Sequence, residues 1–312
     1  MFSRRNPLDQ LGLYAMRIDI YERDSVSEHV YSGILEYVMN VKANNIDDII
    51  AGVRQVCSRA DYLGKVCILC NILEKLGEAA DDYGLDVAYF KRALKSIIQR
   101  LEVTLQNAEN QYLGMLDQSL TPDSQVLLLS FNSRTERLIS SLRYKIRRIM
   151  IPVREPMKTG IAMASNLKRK GLPVHYIPDE ALGWAVAVSD AVLIDAIGSM
   201  PGGRVIVDAG GEPALAIAAS RGVKGVVLLS VEASCERRGE SEKTPSFIIE
   251  SKLGGPPVRI SLIDIIDPKI TPFLMVTEND IVKASRRVVR ERQRVVRELI
   301  DDIVQFTLES ML

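Results

Sequence analysis

The sequence is poor in the side chains that most enzymes use for proton transfer and metal binding near neutral pH. Its 312 residues include 2 histidines, His29 and His175, isolated from each other and from any cysteine, so both read as structural. Charge of one sign is also missing: 40 basic residues balance 40 acidic ones, which excludes a global field for nucleic acid or an acidic membrane. No apolar run reaches the roughly 18 residues of a membrane span. The start, MFSRRNPLDQLGLYAM, has arginines but no apolar core of a signal segment. These absences argue against a membrane partner and give a cytoplasmic location by default.

Cysteine is scarce as well. Cys57, Cys67, Cys70 and Cys235 are too few in a chain this long for a disulfide framework, so free thiols in a reducing compartment are expected. Cys67 and Cys70 form a CxxC within KVCILCNILEKL, but no second CxxC or Cys/His pair accompanies it. The flanking apolar spacing is helical, which makes them a buried face and leaves no metal site.

Cofactor motifs are absent too. The first strand turn, SFNSRTERL, has no glycine, which excludes the dinucleotide fingerprint. There is no GxxxxGK[ST] phosphate loop. GSMPG at 198–202 puts its serine second, so Ser199 reads as a turn residue and not as a nucleophile. No cofactor is implied.

What the sequence does have is a change of period. From about Ser27 to Leu120, SEHVYSGILEYVMNVK, NIDDIIAGVRQVCSRA, YLGKVCILCNILEKLGEAA and VAYFKRALKSIIQRLEVTLQNAENQYLGML repeat apolar residues at three-and-four spacing. This predicts four or five packed helices, the one from Asp86 to Leu116 long enough to join the two halves. After Thr121-Pro122-Asp123 the short runs QVLLLS, RRIMIPV, PVHYIP, AVLID, RVIVDA and GVVLLS alternate with helical segments. The expected fold is therefore α/β: an all-helical domain at 1–121, then a doubly wound, mainly parallel Rossmann-like sheet at 122–312. The stretch 235–257 reads as an exposed loop with some local strand, and ISLIDIID as a last strand.

The chain ends in DIVKASRRVVRERQRVVRELIDDIVQFTLESML, expected as a long helix over about 280–312. Val289, Val296, Ile303, Leu299 and Phe306 form a packing stripe interrupted by Arg292. Acidic residues interleave with its arginines and no aromatics stand among them, which argues against nucleic acid.

Chemistry is expected near 192–211, VLIDAIGSMPGGRVIVDAGG, where two apolar runs suit buried parallel strands, whose ends gather ligands. The ungapped run SDAVLIDAIGSMPGGRVIVDAGGEPALAIAA resembles VDxVLVGADxIxxNGxVxNKIGTxxLAxxA. That pattern belongs to the alpha, beta and delta subunits of translation initiation factor 2B and the related isomerases of methylthioribose 1-phosphate and ribose 1,5-bisphosphate. REPMKTG at 154–160 resembles the family's ESRPxxxG, and DPKITPFLMVTEND its entry to a final strand; the likeness runs from about Gln125 to Ala284.

The resemblance implies a candidate pocket. It draws Asn132, Ser133 and Arg134 from the first turn, Arg154 and Gly160 from REPMKTG, and Asp195, Gly202, Gly203, Asp208, Gly210 and Gly211 from the long match. It also implies self-association as a dimer or larger symmetric oligomer, contact with initiation factor 2 or other translation proteins, and binding of a nucleoside monophosphate or sugar phosphate. The departures are chemical. Where family isomerases carry a cysteine and an aspartate to move a proton, this chain has Phe131 and Ile197, which cannot titrate. Glu155 and Asp208 replace phosphate-side cations, although backbone amides near Gly210 and Gly211 could still meet an anion. Ser133-Arg134 resembles the HAYSR turn of the factor subunits. Two readings follow: a non-catalytic factor-like subunit, or an isomerase with Asp195 and Asp208 as a relocated acid/base pair.

Overall fold

The fold is given by a computed structural model that describes residue 8 and residues 23–60, 63–155, 158–236, 246–249 and 258–311. The start of the chain, most of the loop expected at 235–257, and Pro156 and Met157 of REPMKTG lie outside the described residues.

The helical period is realised as α1 (Arg23–Asn40), α2 (Ile46–Ala60), α3 (Gly64–Asp82) and α4 (Val87–Ser119). Local signals set their starts: the Asn45 side chain accepts from the Asp48 amide at 2.8 Å, and Asp86 caps α4 by accepting from the Tyr89 amide at 2.6 Å. The apolar face of α3, Ile68, Leu69, Ile72, Leu73 and Leu76, is almost wholly buried. Each such side chain contributes about 1.5–3 kcal/mol by leaving water. As the spacing predicts, α4 joins the two halves: Phe90, Leu94 and Ile97 pack in the helical core, while Tyr112 and Leu116 pack under the sheet.

The cysteine expectation is overturned. Cys57 is bonded to Cys70 and Cys67 to Cys235, with Cα atoms 5.8 and 6.1 Å apart, and no cysteine is free. The CxxC does lie on a packed helix, but its two members face different neighbours. Cys70 meets α2, and Cys67 meets the segment 231–236. Such pairings are set by tertiary contact and not by spacing along the chain, and the cysteines no longer argue for a reducing compartment.

The main sheet contains β1 (Ser124–Leu128), β2 (Ile146–Pro152), β3 (Val174–Ile177), β4 (Ala191–Asp195), β7 (Lys224–Leu228), β11 (Leu274–Val276) and β12 (Ile281–Lys283). Its order is β12-β11-β7-β4-β1-β2-β3, parallel except for β12. Helices α5 (Ser133–Ser141) and α6 (Thr159–Arg169) follow β1 and β2, and α7 (Leu182–Ala187) follows β3. α8 (Gly211–Arg221) precedes β7, and α9 (Arg286–Met311) ends the described chain. Two separate apolar clusters, one holding Leu138 and Leu167, the other Val186 and Leu215, coat the two faces of the sheet. This is the doubly wound arrangement expected.

Three details correct the sequence reading. Residues 204–208 do not join the parallel sheet. They form β6 (Arg204–Asp208), antiparallel to β5 (Gly198–Met200) and to β10 (Ile263–Ile266), the strand expected from ISLIDIID. Gly202 and Gly203, both at positive φ, make the β5–β6 turn, and a tight hairpin cannot place consecutive strands in parallel. The last helix begins at Arg286 and not near 280, because 281–283 turn back as an edge strand on β11. Finally, the buried line of α9 is Val289, Arg292, Gln293, Val296, Ile300, Val304, Thr307 and Leu308. Phe306 instead stands 57% exposed beneath the Arg100 guanidinium. A 3.6-residue period drifts off a strict seven-residue stripe over a helix this long. In the loop 235–257, the strand expectation is met by β8 (Ser246–Ile249), paired with β9 (Val258–Ser261).

Candidate functional site

In the sheet the chain moves outward from β1 to β2 and β3, then returns to place β4 on the other side of β1. The carboxyl ends of β1 and β4 thus flank the switch point, where open α/β sheets hold their ligands. Asp195 ends β4, and Asn132 caps α5 just beyond β1. The Asn132 carboxamide accepts from the Thr135 amide at 2.7 Å and donates to Asp195 Oδ2 at 3.1 Å. The Thr135 hydroxyl reaches the same oxygen at 3.3 Å, and Ser130 Oγ accepts from the Asp195 amide at 2.5 Å. Asp195, 3% exposed, is therefore fixed in position as well as buried.

Arg134 lies 3.6 Å from Asp195 Oδ1, with its guanidinium 4.6 Å from the centre of the Tyr112 ring. Burial alone would lower the Arg134 pKa, but Asp195, Tyr112, Glu232 and Glu109 outweigh it and hold the group above its ordinary value. Burial also raises the Tyr112 phenol, helped by Asp195 and Glu278 and opposed by Arg134 and Arg292.

These side chains belong to the wall of a cavity of about 650 Å³ between the helical region and the sheet. Of the residues expected from sequence, it gathers Asn132, Ser133, Arg134 and Asp195, together with Ile197. Sequence reasoning missed Lys65, Glu102, Tyr112, Glu232 and Glu278, which come to the wall from α3, α4 and the loops after β7 and β11. Glu278 sits in the quoted TEND, but nothing along the chain marked the others.

The remaining expected residues lie elsewhere. Gly202 and Gly203 are in the hairpin turn. Arg154 packs over the Phe131 ring at 5.1 Å and beside Gly210. Burial pulls its guanidinium down while Asp208, Asp179 and Asp264 pull it up. Gly160 lies in the first turn of α6, where its amide donates to the Val153 carbonyl at 3.2 Å. Gly211 opens α8 against Val207 and Ile194. Asp195 is in the cavity wall and Asp208 is not.

Backbone amides of REPMKTG and of the start of α8 are taken by the chain's own carboxylates. Asp179 accepts from the amides of Arg154 and Glu155 at 2.8 and 2.7 Å, and Asp264 accepts from the Glu212 amide in the first turn of α8 at 3.1 Å. Helix starts attract anions, and at α8 Asp264 uses that attraction internally. Phe131 and Ile197 are buried, with 0% and 7% exposure, and offer no proton. Ser199 is buried in β5 and accepts from Gln293 at 2.9 Å. Among the described residues, no cluster of His, Cys, Asp and Glu could hold a metal, and no helix is long and apolar enough to cross a membrane.

A helical region set on a doubly wound sheet, with a cavity at the switch point between them, defines the class as a Rossmann-like α/β protein with a helical N-terminal region. The sequence pattern of IF-2B, the Initiation factor 2 subunit family, matches residues 30–229, and the chain belongs to that family. The match takes in much of the helical region as well as the sheet.

Solved structures agree on the fold. The Pyrococcus horikoshii OT3 translation initiation factor eIF-2B superposes with a TM-score of 0.69 at 14% identity, covering 90% of this chain and 98% of that one. The tetrameric eIF2B-beta2-delta2 complex from C. thermophilum gives 0.67 at 15%, covering 93% and 94%. The 5-methylthioribose 1-phosphate isomerase from Pyrococcus horikoshii OT3 gives 0.64 at 14%, covering 92% and 88%. No curated protein sequence matches the chain.

Proposed function

We propose that this chain is a non-catalytic member of its family that acts by association, as a homodimer or larger symmetric assembly, with a regulatory role toward a translation protein of the initiation factor 2 kind. The observation that carries this reading is that Asp179 and Asp264 occupy backbone amides in the segments where the family resemblance expects a phosphate, beside a Phe131 and an Ile197 that cannot titrate. An isomerase of sugar phosphates needs both a phosphate grip and a proton-transfer pair. The relocated pair of Asp195 and Asp208 gains no support, since only Asp195 belongs to the cavity wall. The similarity to a tetrameric eIF2B complex supports association, and the cytoplasmic assignment rests on this family resemblance and not on the cysteines.

Sedimentation velocity at micromolar concentration, run beside an isomerase assay on methylthioribose 1-phosphate and ribose 1,5-bisphosphate, tests the reading. A dimer or larger species with no turnover is expected. A monomer, or turnover of either sugar phosphate, would overturn it.

A further inference from the structure

The wall of the switch-point cavity contains the carboxylates of Glu28, Glu102, Glu109, Asp195, Glu232 and Glu278. Among the described residues, its cations are Lys65, Arg134 and Arg137. Lys65 is 2.6 Å from Glu28 and Arg137 is 3.0 Å from Glu109, both near the outer edge, while Glu278 is held from behind by Arg292. Counting Arg292, carboxylates still outnumber cations, and low-dielectric walls concentrate such a field. The Tyr31 phenol, close to this cavity, feels it: burial raises its pKa well above the ordinary value, and Glu102, Glu28 and Glu232 add to the rise.

A second observation is independent of charge. Tyr112 is 1% exposed and forms part of the wall, yet its hydroxyl has no hydrogen-bond partner among the described residues. Asp195 Oδ1 also accepts no hydrogen bond, since Arg134 at 3.6 Å is an ion-pair neighbour beyond hydrogen-bond range. Leaving a buried polar atom unsatisfied costs about 1–3 kcal/mol, which makes the Tyr112 hydroxyl a reason to look for a ligand there, while Asp195 Oδ1, charge-compensated by Arg134, still has a lone pair for a donor. A carboxylate oxygen can only accept, so a group meeting Oδ1 must donate.

We propose that the cavity binds a small organic cation, a primary amine or guanidine of metabolite size, whose N–H donors meet Asp195 Oδ1 and the Tyr112 hydroxyl. The volume of about 650 Å³ suits a metabolite. Charge selects against phosphorylated ligands, which would meet an excess of carboxylates at short range. The proposal goes beyond the non-catalytic reading and does not depend on it, because no turnover is involved.

The test is isothermal titration of the full chain with agmatine and spermidine, with ribose 5-phosphate as the anionic comparator. Binding of at least one amine in the micromolar range is expected, with ribose 5-phosphate silent. Asp195→Asn should weaken that binding at least tenfold. Because Asp195 also accepts from Asn132 and Thr135, a second variant, Tyr112→Phe, removes a hydroxyl that bonds to nothing described; it should weaken binding severalfold without lowering the melting temperature. Silence of both amines at millimolar concentration, amine binding indifferent to both variants, or tighter binding of ribose 5-phosphate would overturn the proposal. The isomerase assay and the sedimentation result would stand in any of these cases, so the two readings fail separately.

Discussion

Arg292 of α9 donates to the carboxylate of Glu278, with the two side chains only 8% and 9% exposed. Arg292 also donates to Ser234 Oγ at 3.3 Å, so one buried guanidinium ties the last helix to the loop after β11 and the segment after β7. Along the sequence Arg292 looks like a charge interrupting an apolar stripe. In the fold it is a polar tie behind the cavity wall.

Breaking that pair from one side should be costly. Glu278→Ala leaves a buried guanidinium without its counter-charge, with an expected loss of about 3–5 kcal/mol, whereas the double replacement Glu278→Leu with Arg292→Met should recover most of it. Urea unfolding of the single and double variants measures this. A single-variant loss below about 1 kcal/mol would mean that water reaches the pair.

Acid should act at the start of the same helix. The Arg286 guanidinium and the Lys269 amide both donate to Asp267, holding its carboxyl at about 2, below the ordinary 3.8. A depressed folded-state pKa gives stability that is present above about pH 4 and is lost as the pH falls toward about 2. Asp267→Asn should therefore flatten the stability profile within that window and leave its shape above it unchanged. Carboxyl-carbon NMR should place the Asp267 midpoint near 2, and a midpoint near 4 would refute the assignment.

The two disulfides make a third prediction. Cys67 and Cys235 are 168 residues apart in sequence, so their bond restrains much of the unfolded chain, and its loss should cost about 2–5 kcal/mol. The Cys57–Cys70 bond spans 13 residues and should contribute less. Thiol titration of the denatured, unreduced protein should find none of the 4 cysteines reactive. Melting with and without dithiothreitol then separates the contributions when repeated on Cys67→Ser/Cys235→Ser. Four reactive thiols before reduction would refute the pairing.

Most of the architecture was legible because it is written in local periodicity: α1 to α4, the parallel strands and α5 to α8 all follow three-and-four or short apolar spacing. The misreadings share a cause. The antiparallel turn-back of β6, the three-residue edge strand β12 and the cysteine pairs depend on which segments meet in space. The site divides in the same way. Asn132 and Arg134 were accessible because they match family turn patterns just beyond β1, and Asp195 because it ends an apolar strand-like run, whereas Tyr112 and Glu102 look like ordinary residues of a long helix. Only the packing of α4 over the switch point brings them to the cavity.

That packing can be probed with two glycines that look alike in sequence. Gly64, the first residue of α3, stands so close to the segment after β7 that an added Cβ would lie 2.4 Å from the Glu232 carbonyl oxygen. Gly114, exposed near the end of α4, would place a Cβ in open space. Gly64→Ala must push back a rigid backbone group, at an expected cost of about 1–3 kcal/mol. It should also speed amide exchange across 231–236, because that segment has to yield. Gly114→Ala should instead stabilise by about 0.5–1 kcal/mol through helix propensity alone, with exchange at 231–236 unchanged. If Gly64→Ala proved neutral in both measurements, the start of α3 would not approach Glu232 as closely as described, and the cavity they jointly wall would be more open there.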